Sequence, residues 1–179
     1  MKQQTPVRKF VAVGILAVAI AAHGQTPKPV AEQSKFSRAS RMEHPVPLPP
    51  DVLKLLLNTR EGKEGMAHAS DLQKQTPGQM FRVSEIHLRA NDEAELLIEG
   101  IPPMASGDHD WFWIVRPARR RPRLVLFAGG NSLEVQDSRT NSYRDILSIW
   151  RYPKETLVSI YKFNGKKYTF RKVINRKTR

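Results

Sequence analysis

The chain has 179 residues and contains no cysteine, which excludes several kinds of site at once. It cannot form disulfide bonds, use a thiolate as a nucleophile or hold a metal through sulfur. It also cannot carry the lipid that exported bacterial lipoproteins attach to a cysteine. A chain of this length can bury a hydrophobic core, so its stability must come from side-chain packing.

Sequence motifs of catalysis and of cofactor binding are missing as well. The chain has no G-x-S-x-G segment around a nucleophilic serine, and Gly129-Gly130 is not part of a phosphate-binding glycine pattern. A hydrolase that uses two carboxylates stays an alternative, but only if folding brings two acidic side chains together. We therefore favour a non-enzymatic protein, with no catalytic residue and no cofactor. The acidic candidates are Glu95, Glu99, Asp145 and Glu155.

One histidine stands between two carboxylates, in the segment Asp108-His109-Asp110. These residue types can ligate a metal or act as an acid–base pair. Adjacent side chains point in different directions, however, and His87 is the only other candidate ligand nearby in the sequence. We therefore expect a solvated loop here and no metal.

Acidic side chains are scarce relative to basic ones. There are 17 Asp and Glu residues against 30 Lys and Arg residues, which gives a formal charge of +13. Such a surplus either attracts a polyanion, such as nucleic acid, lipopolysaccharide or acidic polysaccharide, or only keeps the protein in solution. Two basic clusters form the predicted polyanion-binding site. The first contains Arg116, Arg119, Arg120, Arg121 and Arg123, and the second contains Lys162, Lys166, Lys167 and Arg171.

Long apolar runs are also rare, and the longest one, Phe10–Ala22, lies near the amino terminus. It follows a basic segment without acidic residues and leads into small residues. This order is typical of a signal peptide, and the run is too short to span a bilayer well. We predict that Met1–Gly24 is a signal peptide cleaved near Ala21 or Gly24. Removal of its three basic residues lowers the formal charge from +13 to +10, and the remaining chain would be periplasmic or secreted.

Proline is concentrated after the predicted signal peptide. Residues 25–50 contain six prolines among Ser, Gln, Lys and Arg. Because proline lacks a backbone donor and favours extended conformations, we predict a flexible tether over residues 25–50. A single domain is expected over residues 51–174, and residues 175–179 are expected to form a basic tail.

The remaining pattern predicts a domain that consists mostly of strands. Asp51 follows two prolines and precedes a leucine-rich segment, which predicts a short helix from Asp51 to about Asn58. A second short helix is expected over Met66–Lys74. Apolar and aromatic residues then recur between short polar turns, which predicts about eight strands between Gln79 and Phe170. The predicted fold is α+β, predominantly antiparallel β, with one or two short helices near its amino terminus.

The dipeptide Asn164-Gly165 predicts a β-hairpin with a two-residue type I′ turn. This turn would place Phe163 opposite Lys166. Four aromatic side chains would then share the core-facing side of the hairpin, and basic side chains would lie on the other side. The four aromatic residues are Tyr161, Phe163, Tyr168 and Phe170.

Two segments, which begin near Asn91 and Asn141, have the same order of strand, loop, aromatic strand, tight turn and strand. Either the chain contains a duplicated β-meander, or two unrelated meanders resemble each other by chance. The segments Thr140–Ile146 and Tyr161–Tyr168 also resemble a pattern in small exported bacterial proteins with a proline-rich stretch before a leucine-rich helix. The Trp111–Arg116 strand fits that pattern. The resemblance implies fold and export but no activity, because that family has no settled function.

The same hairpin is distantly similar to the β-blades of FG-GAP type. Those blades often hold calcium in an acidic D-x-N-x-D-G loop. The chain has no such loop, so the similarity does not extend to calcium binding. Two units would also be too few to close a propeller.

Three functions are compatible with these features. We favour an exported, non-enzymatic module that binds an anionic component of the cell envelope or a protein partner. A secreted hydrolase with two carboxylates is one alternative. A periplasmic lysozyme inhibitor is another, although a basic chain would repel the basic surface that lysozymes usually have.

Overall fold

Two antiparallel β-sheets and two short helices form the part of the protein that the structure describes. This computed structural model describes residues 33–69, 76–89, 94–105, 109–118 and 120–177, so the predicted signal peptide lies outside the described residues. The helices are α1 (Pro50–Leu57) and α2 (Arg60–Ala69). The strands are β1 (Lys35–Phe36), β2 (Phe81–Ile86), β3 (Glu95–Gly100), β4 (Asp110–Arg116), β5 (Arg123–Gly130), β6 (Ser132–Thr140), β7 (Tyr143–Arg151), β8 (Glu155–Phe163) and β9 (Tyr168–Lys177).

The strands divide into a five-stranded sheet A, in the order β1-β6-β7-β8-β9, and a four-stranded sheet B, in the order β2-β3-β4-β5. Neighbouring strands are antiparallel in both sheets. Only Asn131 separates β5 from β6, so the chain passes directly from sheet B into sheet A. This architecture confirms the predicted α+β fold with mainly antiparallel strands. Each sheet contains a meander of four consecutive strands, and their origin by duplication stays a prediction.

Sheet B has both faces covered, which explains its continuous apolar strands. On one face, Leu97 and Ile114 pack in a core that includes Ile146 of sheet A. On the other face, Trp113 packs in a second core that includes Leu56 of α1. Strands that are buried on both faces have apolar residues at successive positions instead of every second one. Sheet B therefore lies between sheet A and α1.

The two helices begin earlier than the sequence predicts. α1 starts at Pro50, which occupies the first turn, where the missing N–H of proline costs no hydrogen bond. Asp51 also lies in the first turn, where its negative charge interacts favourably with the positive end of the helix dipole. α2 starts at Arg60 instead of Met66 and is described as far as Ala69. The rest of the predicted second helix lies outside the described residues.

The prediction of a flexible tether is wrong for residues 33–50. Phe36 of β1 is fully buried in the core between the sheets. Farther along, the backbone N–H of Val46 donates to the carbonyl of Val83 in β2, at an N–O distance of 3.1 Å. The prolines are compatible with this structure because neighbouring residues such as Val46 supply the backbone donors. We call residues 33–49 the amino-terminal arm.

The carboxyl-terminal boundary also differs from the prediction. β9 continues to Lys177, which pairs with Glu155 of β8. Residues 175–177 therefore belong to sheet A, and the prediction of a basic tail is wrong for them. The strand can continue because β8 supplies a backbone partner along its full length.

The hairpin between β8 and β9 has a different turn from the predicted one. Phe163 pairs with Tyr168 and not with Lys166, so the register differs by two residues from the predicted register. Gly165 has a φ of 98°, whereas Asn164 has no positive φ, so the predicted type I′ turn is wrong. A shift of two residues keeps each side chain on the same face. Tyr161 packs against Phe170 and Phe163 packs against Tyr168, with ring centroids 6.0 Å and 5.4 Å apart, so the expected aromatic contacts are present. Phe163 and Tyr168 are buried, but the predicted core-facing position is wrong for Phe170, which is 55% exposed.

Candidate functional site

The two predicted basic clusters lie at the same end of the strands. We call residues 117–122, between β4 and β5, the arginine turn, and residues 164–167, between β8 and β9, the lysine hairpin tip. Arg116 ends β4, and its guanidinium carbon lies 5.5 Å from the ring of Phe163, which ends β8. Because the two turns continue from these two residues, they project from neighbouring positions.

Arg116 itself packs against other side chains at this junction. Its guanidinium carbon lies 5.0 Å from the Tyr143 ring, and its Nε lies 3.5 Å from Oε1 of Glu95. Glu95 is 1% exposed, and burial raises its pKa while the positive charge of Arg116 opposes that rise. The charge of Arg116 is thus matched by an internal carboxylate. We assign it a positioning role between the clusters.

Six of the nine predicted polyanion-binding residues have exposed side chains. Within the described residues, none of these six forms an ion pair with a carboxylate. Their positive charges are therefore available to an external anion. The six are Arg120, Arg121, Arg123, Lys166, Lys167 and Arg171.

Lys162, another predicted binding residue, is less exposed than these six. Lys162 is partly buried, and its Nζ lies 3.5 Å from Oδ2 of Asp145. Asp145 also accepts hydrogen bonds from the hydroxyls of Ser138 and Thr140. Lys162 is therefore paired with a carboxylate of sheet A, while 42% of its side-chain surface stays exposed. Arg119 lies outside the described residues.

A cleft of about 330 Å³ lies between α1 and the arginine turn. Its lining has three cationic side chains and one carboxylate, and Leu55 and Pro122 supply apolar surface. A pocket with this lining can hold an anionic group beside a small apolar one. The charged lining residues are Asp51, Lys54, Arg120 and Arg121.

β9 extends the basic surface along the edge of sheet A. It pairs with β8 alone, and its exposed side chains are mainly basic, with two apolar residues among them. Phe170 is 55% exposed and Val173 is 48% exposed. Basic residues on an edge strand oppose pairing with a second copy, because like charges would meet. The basic residues that the predicted site left out are Lys172, Arg176 and Lys177.

The segment around His109 does not form a metal site within the described residues. His109 packs against Trp150, with ring centroids 4.9 Å apart, and Asp110 is buried at the start of β4. Asp108 lies outside the described residues. No group of three histidine or acidic side chains in the described residues could hold a metal ion.

The structure brings together two carboxyl groups that belong to different candidate sites in the sequence. Glu99 of β3 and Asp110 of β4 interact at hydrogen-bonding range, and both are buried. Glu99 pairs with Phe112 across the two strands, so Asp110 lies two residues along on the same face. The strand register could have indicated this proximity, but the sequence alone does not fix the register.

No protein-family model matches the chain, and no curated protein or solved structure is significantly similar to it. In the described part of the chain, neither helix has the length and apolar character needed to cross a membrane.

Proposed function

We propose that the protein is an exported, non-enzymatic module that binds an anionic polymer of the cell envelope. The arginine turn and the lysine hairpin tip together form the binding surface. One observation carries this proposal: the contact of Arg116 with Phe163 joins the ends of β4 and β8. This contact supports the proposal because the two turns that carry the basic clusters continue from neighbouring residues.

Electrostatics favours a polymer over a small anion at this surface. The six exposed cations have no carboxylate partners among the described residues, and they are spread over two turns and the first residues of β5 and β9. Each exposed charge contributes little alone, since water and salt screen it over a distance of about 8 Å. A chain of repeated negative charges can contact several of them at once and release several counterions.

Heparin and lipopolysaccharide are suitable probes of this proposal. The full chain is expected to bind both, with an affinity that falls steeply as the salt concentration rises from about 50 mM to about 500 mM. Replacing Lys166 and Lys167 by glutamine should reduce the slope of log affinity against log salt by roughly 1.5 to 2, if each lysine displaces about one counterion.

A matched control removes two exposed positive charges elsewhere. Arg60 and Lys63 are exposed on α2, and their replacement by glutamine changes the net charge by the same amount. This control should leave the salt slope almost unchanged. Equal losses in both double variants, or binding that does not depend on salt, would refute the proposal. Binding to an acidic protein but to neither polymer would indicate that the ligand of this surface is a protein and not a polymer.

The carboxyl pair of Glu99 and Asp110 gives little support to the alternative of a hydrolase. Glu99 has no exposed surface, and its Oε2 accepts a hydrogen bond from Arg82. Asp110 is also paired with an arginine, because Nη2 of Arg38 lies 2.7 Å from its Oδ1. Carboxylates that catalyse hydrolysis must reach a substrate and a water molecule. These contacts favour a structural role for the pair.

A further inference from the structure

A second basic cleft, of about 410 Å³, lies at the opposite end of the strands from the arginine turn. It is formed where the amino-terminal arm meets the start of β4, the β5–β6 junction and the end of β7. Its charged lining consists of three cations and one carboxylate. These residues are Lys35, Arg38, Arg151 and Asp110.

One of the three cations is neutralised by the carboxylate of the cleft. Arg38 donates from Nε to Oδ1 of Asp110 at 2.9 Å and from its backbone N–H to Oδ2 at 3.0 Å. Its Nη2 also lies 2.7 Å from Oδ1. A bidentate contact of this kind holds both partners in a fixed orientation. Two positive charges, on Lys35 and Arg151, are then left to face a ligand.

The two remaining cations are only weakly engaged. Lys35 is more than half exposed, and its Nζ lies 3.9 Å from Glu134, at the limit of an ion pair. Arg151 is exposed and forms no ion pair with a carboxylate of the described chain. Its Nη1 donates to the hydroxyl of Ser132 at 3.3 Å, so the guanidinium keeps further donors for a ligand.

Backbone contacts fix the positions of the residues around the cleft. The backbone N–H of Arg151 donates to Oδ1 of Asn131 at 2.5 Å. Gly130 packs so closely against β7 that an added Cβ would lie 2.8 Å from Oγ of Ser148. The cleft therefore exists before any ligand arrives, which lowers the entropic cost of binding.

We propose that this cleft binds a compact phosphate-like dianion between Lys35 and Arg151. Among the residues that line the cleft, the charge left after the Arg38–Asp110 pair is +2, which matches a dianion. A tetrahedral oxyanion presents several acceptor oxygens, and the guanidinium and ammonium groups supply charged donors from two directions. The site is independent of the basic surface formed by the arginine turn and the lysine hairpin tip.

Titration of the ¹⁵N-labelled full chain with inorganic phosphate tests the proposal. The backbone amide signals of Asn131 and Arg151 should shift in a saturable way, with a Kd on the order of 1 mM, the strength expected of two charged contacts in water. Arg151→Gln should weaken binding at least tenfold. Lys63→Gln, which removes one exposed charge from α2, should change it less than about twofold. Sulfate, a tetrahedral dianion, should compete, and acetate should bind much more weakly.

Three results would overturn the proposal. They are the absence of saturable shifts at these two amides, equal weakening by the two variants, and acetate binding as tight as phosphate binding. Heparin binding is measured with variants at the lysine hairpin tip, so a failure of the phosphate experiment leaves the proposed polymer surface untouched. Likewise, a failure of the heparin experiment leaves the proposed phosphate site untouched.

Discussion

Glu99 and Asp110 form a buried pair of carboxyl groups between two arginines. Nη2 of Arg82 lies 2.5 Å from Oε2 of Glu99, while Arg38 binds Asp110 on the other side. Oε1 of Glu99 has no hydrogen-bond donor among the residues that the structure describes. Two ionised carboxylates cannot hydrogen bond to each other, so the contact between Glu99 and Asp110 requires a proton that the two groups share. Burial, with a smaller contribution from Asp110, raises the pKa of Glu99 to about 7 despite the opposing effect of Arg82.

The shared proton predicts how stability depends on pH. Between the usual pKa of 4.5 and the folded value of about 7, folded Glu99 keeps a proton that the unfolded chain releases. The contribution of this group to the free energy of unfolding therefore falls as the pH rises through this window. A shift of this size corresponds to at most about 3 kcal/mol. Glu99→Gln keeps a donor to Asp110 at every pH. The free energy of unfolding of this variant, relative to that of the parent protein, should therefore increase by up to that amount as the pH rises.

Urea denaturation at pH 5 and pH 8 measures this difference. Other groups that titrate, such as Glu95, are present in both proteins and cancel in the comparison. Glu64→Gln, at an exposed position on α2, is the control and should give no pH-dependent difference. A parent protein and a Glu99→Gln variant whose stabilities change in parallel between the two pH values would contradict the protonated pair.

The amino-terminal arm predicts a second measurable effect. Phe36 is fully buried, so Phe36→Ala should lower the free energy of unfolding by about 3–5 kcal/mol. Phe170→Ala removes the same side chain from a position that is 55% exposed, and it should cost about 1 kcal/mol or less. Thermal and urea unfolding of both variants would test this. Similar small losses in the free energy of unfolding of the two variants would indicate that the arm is a flexible tether.

The strands could be predicted because their signals are local. In sheets A and B, most strands pair with the strand next to them in the sequence, so alternation and turns carry most of the topology. The Trp111–Arg116 strand has apolar residues on both faces, which indicates two covered faces. The turn of the last hairpin was predicted less well, because four residues, 164–167, and not two connect β8 to β9.

The arm and the sites depend on contacts that the sequence does not show. Prolines around Pro45 favour extended backbone, and only the tertiary partner β2 decides whether that backbone is free or paired. In the same way, Arg116 meets Phe163 only because sheets A and B pack together. The types of the basic residues could be predicted, but their division between exposed and internally paired side chains could not.

The close approach of β5 to β7 predicts a third effect. A Cβ on Gly130 would lie 2.8 Å from Oγ of Ser148 and 2.9 Å from the backbone oxygen of Ile149. Because a backbone atom of a central strand cannot move freely, Gly130→Ala should lower the free energy of unfolding by about 1–3 kcal/mol. Gly78 has no atom within 4 Å of an added Cβ, so Gly78→Ala should be neutral or stabilising by up to about 1 kcal/mol. Equal effects of the two substitutions on the melting temperature would contradict this packing.

The turn between β6 and β7 carries the last prediction. Asn141 and Ser142 have φ values of 50° and 66°, the left-handed conformation that a two-residue type I′ turn requires. Asparagine tolerates this conformation, whereas serine is strained in it by about 1 kcal/mol relative to glycine. Ser142→Gly should therefore raise the free energy of unfolding by up to about 1 kcal/mol, as measured by urea denaturation. Ser142→Ala removes the exposed hydroxyl without relieving the backbone and should bring no gain, so equal stabilities of the glycine and alanine variants would contradict a left-handed Ser142.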